Sequence, residues 1–140
     1  METIICSAAG DSRGNPGLGG VGVYIADTDG VMVSEEAQTI GNTTKRFAEY
    51  HAVMLALQTL ISLYGEQTKT KQFEILLDSE LVKKELNAEA LITEPGVVPM
   101  FIEIHNMRVA NFPNLTLRLV SARENQEAVR LVKEALDAGH

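Results

Sequence analysis

Hydrophobic positions come at every second residue in the first part of the chain and at every third or fourth in the next. Gly19 to Ala26 carries Val21, Val23 and Ile25 on one face, the period of a half-buried strand, and the apolar-to-small run Ile4 to Ala8 reads as a strand before it. Asp27-Thr28-Asp29-Gly30 is a turn, with glycine supplying the positive φ a tight hairpin needs, and Val31 to Ala37 returns as a third strand. Together these segments predict an antiparallel meander. Beyond Thr44 the period lengthens. Tyr50, Val53, Met54, Leu57, Leu60, Ile61 and Tyr64 recur at three- and four-residue spacing, which predicts one long amphipathic helix from about Thr44 to Tyr64. Thr43 or Thr44 caps it, and Gly65 offers a left-handed stop.

The second half alternates strands with helices. Phe73 to Leu77 has the near-continuous apolar character of a central strand and ends at Asp78-Ser79, where Ser79 caps a helix through about Leu86 supported by the Glu80–Lys84 pair. Pro95 and Pro99 bracket a loop ahead of a helix over Met100 to Val109. Leu115 to Val120 alternates again, and Glu124 to Ala138 closes the chain with Ala128, Leu131, Val132, Ala135 and Leu136 on one face. The resulting order, β-β-β-α-β-α-α-β-α, predicts an α/β domain. Its sheet has five strands and is mixed, three antiparallel and then parallel, with helices flanking it.

Composition narrows the classes. A chain of 140 residues, 45% hydrophobic and 22% charged, fits one domain over residues 1–140 built around a single core. A formal charge of −7 weighs against broad binding of nucleic acid, so any such contact must come from a local group of Lys and Arg. Cys6 has no partner for a disulfide and is expected as a small buried residue of the first strand. The chain shows no secretory signal and no apolar run near the roughly 20 residues that span a bilayer, so a soluble, cytoplasmic protein with no membrane contact is expected. His51, His105 and His140 have no metal-ligand spacing; the first two read as core-edge or surface residues and His140 as terminal.

Three short stretches carry candidate chemistry: Ala9-Gly10-Asp11-Ser12-Arg13-Gly14-Asn15-Pro16-Gly17 after the first strand, Ala48-Glu49-Tyr50 on the long helix, and Leu77-Asp78-Ser79 at a strand end. A fourth, Asn125-Gln126-Glu127-Ala128-Val129, opens the last helix. In order and placement they resemble the motifs of the type 1 ribonuclease H family in its bacterial and archaeal forms. That family reads Asp-Gly-x-x-x-Gly-Asn-Pro-Gly, Ala-Glu-Tyr, Asp-Ser and Asn-x-x-Ala-Asp in turn. The resemblance covers Ile4 to Asp137 and implies the ribonuclease H-like fold.

It also implies a chemistry and a departure from it. In the family, four acids hold two Mg²⁺ ions (or Mn²⁺) that clamp the scissile phosphate in the RNA strand of an RNA/DNA hybrid. This chain keeps Glu49 and Asp78 as metal-ligand and catalytic candidates, while Ala9 and Val129 stand where the other two acids belong. Leu119 takes the place of the family's histidine, and Lys45-Arg46 that of an Asn-Asn pair which contacts the hybrid backbone. Arg13, Asn15, Lys45 and Arg46 are the nucleic-acid-binding candidates.

Asp11 is a further catalytic candidate, but two residues along a strand displace a side chain by roughly 6 to 7 Å, whereas Mg²⁺ holds its ligands at about 2.0 to 2.1 Å. Glu127 points about 200° round the helix from Val129. The expectation is therefore a metal bound weakly or not at all and hydrolysis weak or absent. The alternatives are a non-catalytic nucleic-acid-binding module and a protein-interaction domain. Each candidate has a plainer reading: Glu49 as a solvated carboxylate, Asp78 as a charge at a helix N-terminus, Asn15 as a turn residue, and the three cations as solvated surface.

Overall fold

A computed structural model describes residues 2–139; His140 lies outside the described residues. The strands are β1 (Thr3–Gly14), β2 (Gly17–Ala26), β3 (Met32–Thr43), β4 (Gln72–Leu77) and β5 (Leu115–Leu119). The helices are α1 (Lys45–Tyr64), α2 (Glu80–Leu86), α3 (Val98–Asn111) and α4 (Gln126–Ala138), with 3₁₀ turns at Gly65–Lys69 and Pro95–Val97. The sheet runs β3-β2-β1-β4-β5. β1–β2 and β2–β3 pair antiparallel, and β1–β4 and β4–β5 pair parallel, so the predicted mixed sheet is the one formed.

The first and third strands outrun their periodic segments. β1 continues past Ala8 because Asp11, Ser12 and Arg13 pair with Gly20, Gly19 and Leu18, and the Gly14–Gly17 pair closes the hairpin. β3 continues past Ala37 to Thr43, which pairs with Gly17. Along these stretches the backbone ladder is satisfied while most side chains stay in water, so no hydrophobic period marks them. The closing helix starts two residues later than Glu124. The Glu124 carboxylate accepts from the Ser121 N–H and the Ser121 hydroxyl from the Glu124 N–H, each at 3.1 Å, a reciprocal pair that spends Glu124 on the preceding turn.

The two predicted caps form. Thr44 Oγ1 accepts from the Phe47 N–H at 3.1 Å and Ser79 Oγ from the Val82 N–H at 3.3 Å. The sheet has a core on each face. Ile4, Cys6 and Ala8 of β1 point, with Val21, Val23 and Ile25, toward Tyr50, Val53, Leu57 and Leu60 of α1. Ala9 points the other way, toward Ala128, Val132 and Leu136 of α4. Cys6 is fully buried, as expected. No helix among the described residues is long and apolar enough to cross a membrane.

Candidate functional site

Two glycines let helices lie directly on the sheet and thereby place the candidate residues. A Cβ on Gly10 would come 2.2 Å from the carbonyl oxygen of Ala48, so α1 touches β1 there backbone to backbone, and the next residue of α1 is Glu49. A Cβ on Gly22 would come 2.4 Å from the carbonyl oxygen of Ala128, so α4 touches β2 in the same way, and its next residue is Val129. Asn125, fully buried, donates from Nδ2 to the Ala8 carbonyl at 2.9 Å and pins the start of α4 to β1. Asp78 follows Leu77, the last residue of β4, and so lies at the carboxyl end of the strand paired with β1.

These placements bring Glu49, Asp78 and Ala9 around one small recess, with Ser79 beside them. An adjoining cavity of about 220 Å³ is lined by Ala9, Asp11, Lys45, Asp78, Val129 and Val132 among others. Val129 is 39% exposed and sits at the rim, as the alignment on Asn125 requires. Asp11 also faces this cavity, with its Oδ1 accepting from the Ser12 N–H at 2.8 Å. It does not complete a centre with Glu49 and Asp78. Among the described residues no three His, Cys, Asp or Glu side chains form a group that could hold a metal ion. Mg²⁺ takes about six oxygen ligands in a tight octahedron, and a site offering two carboxylates beside a methyl and an isopropyl group does not fit the paired ions implied by the sequence resemblance.

The three cations predicted near the site have different partners. Arg13 turns to α4, donating to the Leu136 carbonyl at 3.3 Å and pairing with Asp137. The Arg46 guanidinium lies 3.6 Å from Glu49 and 3.6 Å from Glu85. Lys45 lines the cleft. Asn15 Oδ1 accepts from the Lys45 N–H at 3.1 Å and ties the β1–β2 hairpin to the start of α1. Of the histidines, His51 is half-buried and His105 exposed.

Glu85 was not anticipated. It is 1% exposed, and its Oε1 accepts the Tyr50 hydroxyl at 2.8 Å. Its position three residues after the buried Val82 is the signal for a carboxylate on the inner face of α2.

The Glu49 side chain is only 12% exposed. Burial, helped by the Asp78 charge, pushes its carboxyl up to about 7, against the opposing pull of Lys45, Arg46 and the Ser79 hydroxyl. Because the folded value lies above the unfolded one, the native state holds the extra proton between them. The stability linked to that proton is present below pH about 4.5, the ordinary value, and is lost as pH rises through about 7. Glu49→Gln removes this dependence. Denaturant unfolding should therefore show the variant gaining on the unmodified protein between pH 5 and pH 8. A difference between the two that does not change with pH would mean that Glu49 is not desolvated as described.

The geometry has relatives. A family model described as reverse transcriptase-like matches residues 8–135. The LC11 ribonuclease H1, isolated from compost by a metagenomic approach, superposes with a TM-score of 0.93 at 34% identity, over 99% of each chain. The structure of that relative in complex with an RNA/DNA hybrid superposes with a TM-score of 0.91 at 33% identity, over 97% of this chain and 98% of the other. A ribonuclease HI of Halobacterium salinarum is 31% identical over 128 residues, 91% of this chain. A bifunctional protein of Mycobacterium tuberculosis is 26% identical over 136 residues, 96% of this chain. The chain spans only part of these curated relatives, 61% of the Halobacterium protein and 36% of the Mycobacterium protein.

Proposed function

The chain belongs to the type 1 ribonuclease H family, and from that premise we propose that it engages the backbone of an RNA/DNA hybrid while cleaving it weakly or not at all. One observation carries the second half of this reading. The methyl group of Ala9 lines the recess that holds Glu49 and Asp78, and Ala9 and the isopropyl group of Val129 line the adjoining cavity beside Asp78, at the two positions where the family has acids. In the family, a pair of divalent ions held by four acids activates the water and neutralises the leaving oxygen. Two acids at this point leave that charge without a counterpart.

The chain's own groups support binding. Lys45 presents a cation to a cleft in which a phosphate has room, and a lysine makes such a contact as a point charge. With the Asn15 oxygen taken by the Lys45 N–H, its amide nitrogen is the group available to a sugar hydroxyl. Arg13 and Arg46 contribute less than isolated arginines would, because each already faces a carboxylate. With a net charge of −7, affinity rests on few contacts, so binding is weak and its dependence on salt is shallow.

The test is fluorescence anisotropy of a labelled RNA/DNA hybrid at graded salt without divalent metal. Binding is expected at low salt, and Lys45→Ala should weaken it and reduce the slope of log affinity against log salt by about 1. Binding indifferent to Lys45→Ala would remove Lys45 from the interface. Absence of binding at low salt would favour a protein-interaction role, to which the acidic charge is suited.

A further inference from the structure

The Arg46 guanidinium lies between two acids. Its Nε is 3.6 Å from Glu49 Oε1 and its Nη1 is 3.6 Å from Glu85 Oε2. The Glu85 side chain is wholly inaccessible, and a carboxylate taken out of water is tolerated only with a cation or a full set of hydrogen bonds. Tyr50 satisfies one Glu85 oxygen. The other, Oε2, is buried with no hydrogen-bond partner, as is Arg46 Nε. The pairing is therefore one of charge at short range, and among the described residues Arg46 is the ion-pair partner of Glu85. The same guanidinium lies beside Glu49, one of the two acids still present in the cleft.

We propose that Arg46 is a resident cation which has taken the place of metal at this site, neutralising Glu49 and Glu85 together and repelling a divalent ion from Glu49. This rests on the reading of the cleft as no longer built for two ions. It adds that returning the missing acids rebuilds the metal site only in part while the guanidinium stays. A divalent ion bound to Glu49 at about 2.0 to 2.1 Å would lie within a few ångströms of the guanidinium, where charges of like sign interact strongly under partial burial. Glu49 is thus kept as the partner of Arg46, and the charge that holds Glu85 in the interior is the charge that excludes metal.

Metal binding is the direct test, read without nucleic acid. Mn²⁺ is titrated by calorimetry into two proteins: Ala9→Asp/Val129→Asp, and the same with Arg46→Asn/Glu85→Gln. The second pair removes the cation and the buried acid together, so that neither is left uncompensated. The fourfold variant should bind Mn²⁺ at least about tenfold more tightly, and equal affinities would overturn the proposal.

A second measurement stands even if the fourfold variant does not fold. In the otherwise unmodified chain, Arg46→Asn should lower the thermal midpoint and the addition of Glu85→Gln should recover most of the loss. An Arg46→Asn protein as stable as the unmodified one would show that Arg46 does not carry Glu85, and the proposal would fall. Neither measurement involves a hybrid. Failure of either measurement would therefore overturn the role of Arg46 and leave the binding of hybrid to be decided by anisotropy.

Discussion

Given an RNA/DNA hybrid with Mg²⁺ or Mn²⁺, this protein will release cleaved product at least about 10³-fold more slowly than a family member carrying all four acids, since loss of one group that stabilises developing charge already costs 10²- to 10³-fold. In-line attack on a phosphodiester gathers negative charge on the attacking and leaving oxygens, and the family neutralises it with ions anchored on those acids. Here two anchors are hydrocarbon, Ala9 and Val129, in a cleft where Glu49 and Asp78 are still together. The assay is run beside a Glu49→Gln control, which should change a residual rate little.

Restoring Ala9→Asp with Val129→Asp should raise the rate, because Gly10 and Gly22 already hold β1, α1 and α4 at the spacing the cleft needs. The rise should be larger once Arg46→Asn and Glu85→Gln lift the guanidinium from Glu49. A different outcome would point elsewhere. Cleavage by the unmodified protein at the rate of an intact relative, abolished by Asp11→Asn, would show that Asp11 crosses the 6 to 7 Å or so that separates it in register from position 9.

The second large effect is on folding. Gly10→Ala should destabilise the protein by at least about 3 kcal/mol in denaturant unfolding, the upper range for forcing atoms into a packed interior. The added methyl would meet the Ala48 carbonyl oxygen at 2.2 Å and the Glu49 nitrogen at 2.7 Å, and both belong to helix backbone that cannot rotate away. Relief requires α1 to lift off β1, which would also carry Glu49 away from Asp78. Gly22→Ala faces the Ala128 carbonyl at 2.4 Å and should behave alike, whereas Gly96, with nothing within 4 Å of the added atom, is the control. A Gly10→Ala protein as stable as Gly96→Ala would mean that the helix does not rest on the strand as described.

The elements that carry the candidate site were legible beforehand. The motif around Glu49 and that around Asp78 fell on the elements their periodicity implied, with Ala9, Glu49 and Asp78 around one recess and Ala9, Asp78 and Val129 around the cavity beside it. The reach of β1 and β3 was not legible. Asp11 to Arg13 are polar, and Gln38 to Thr43 holds one large apolar residue, Ile40; they are strand because a neighbouring strand pairs with their backbone, which a one-dimensional pattern does not record.

The basic residues divide the same way. Arg13, Lys45 and Arg46 look equivalent in sequence, yet Arg13 is engaged by α4, Arg46 by a buried acid on α2, and Lys45 lines the cleft. Hydrophobic period, caps and turn residues are local, and they determined which segments are strand or helix and which faces are buried. The distribution of charge depends on residues far apart in the chain, such as Arg13 and Asp137, 124 positions apart, so only the packed structure decided which cations face the cleft. Coulomb energy follows distance in space, and sequence separation does not measure that.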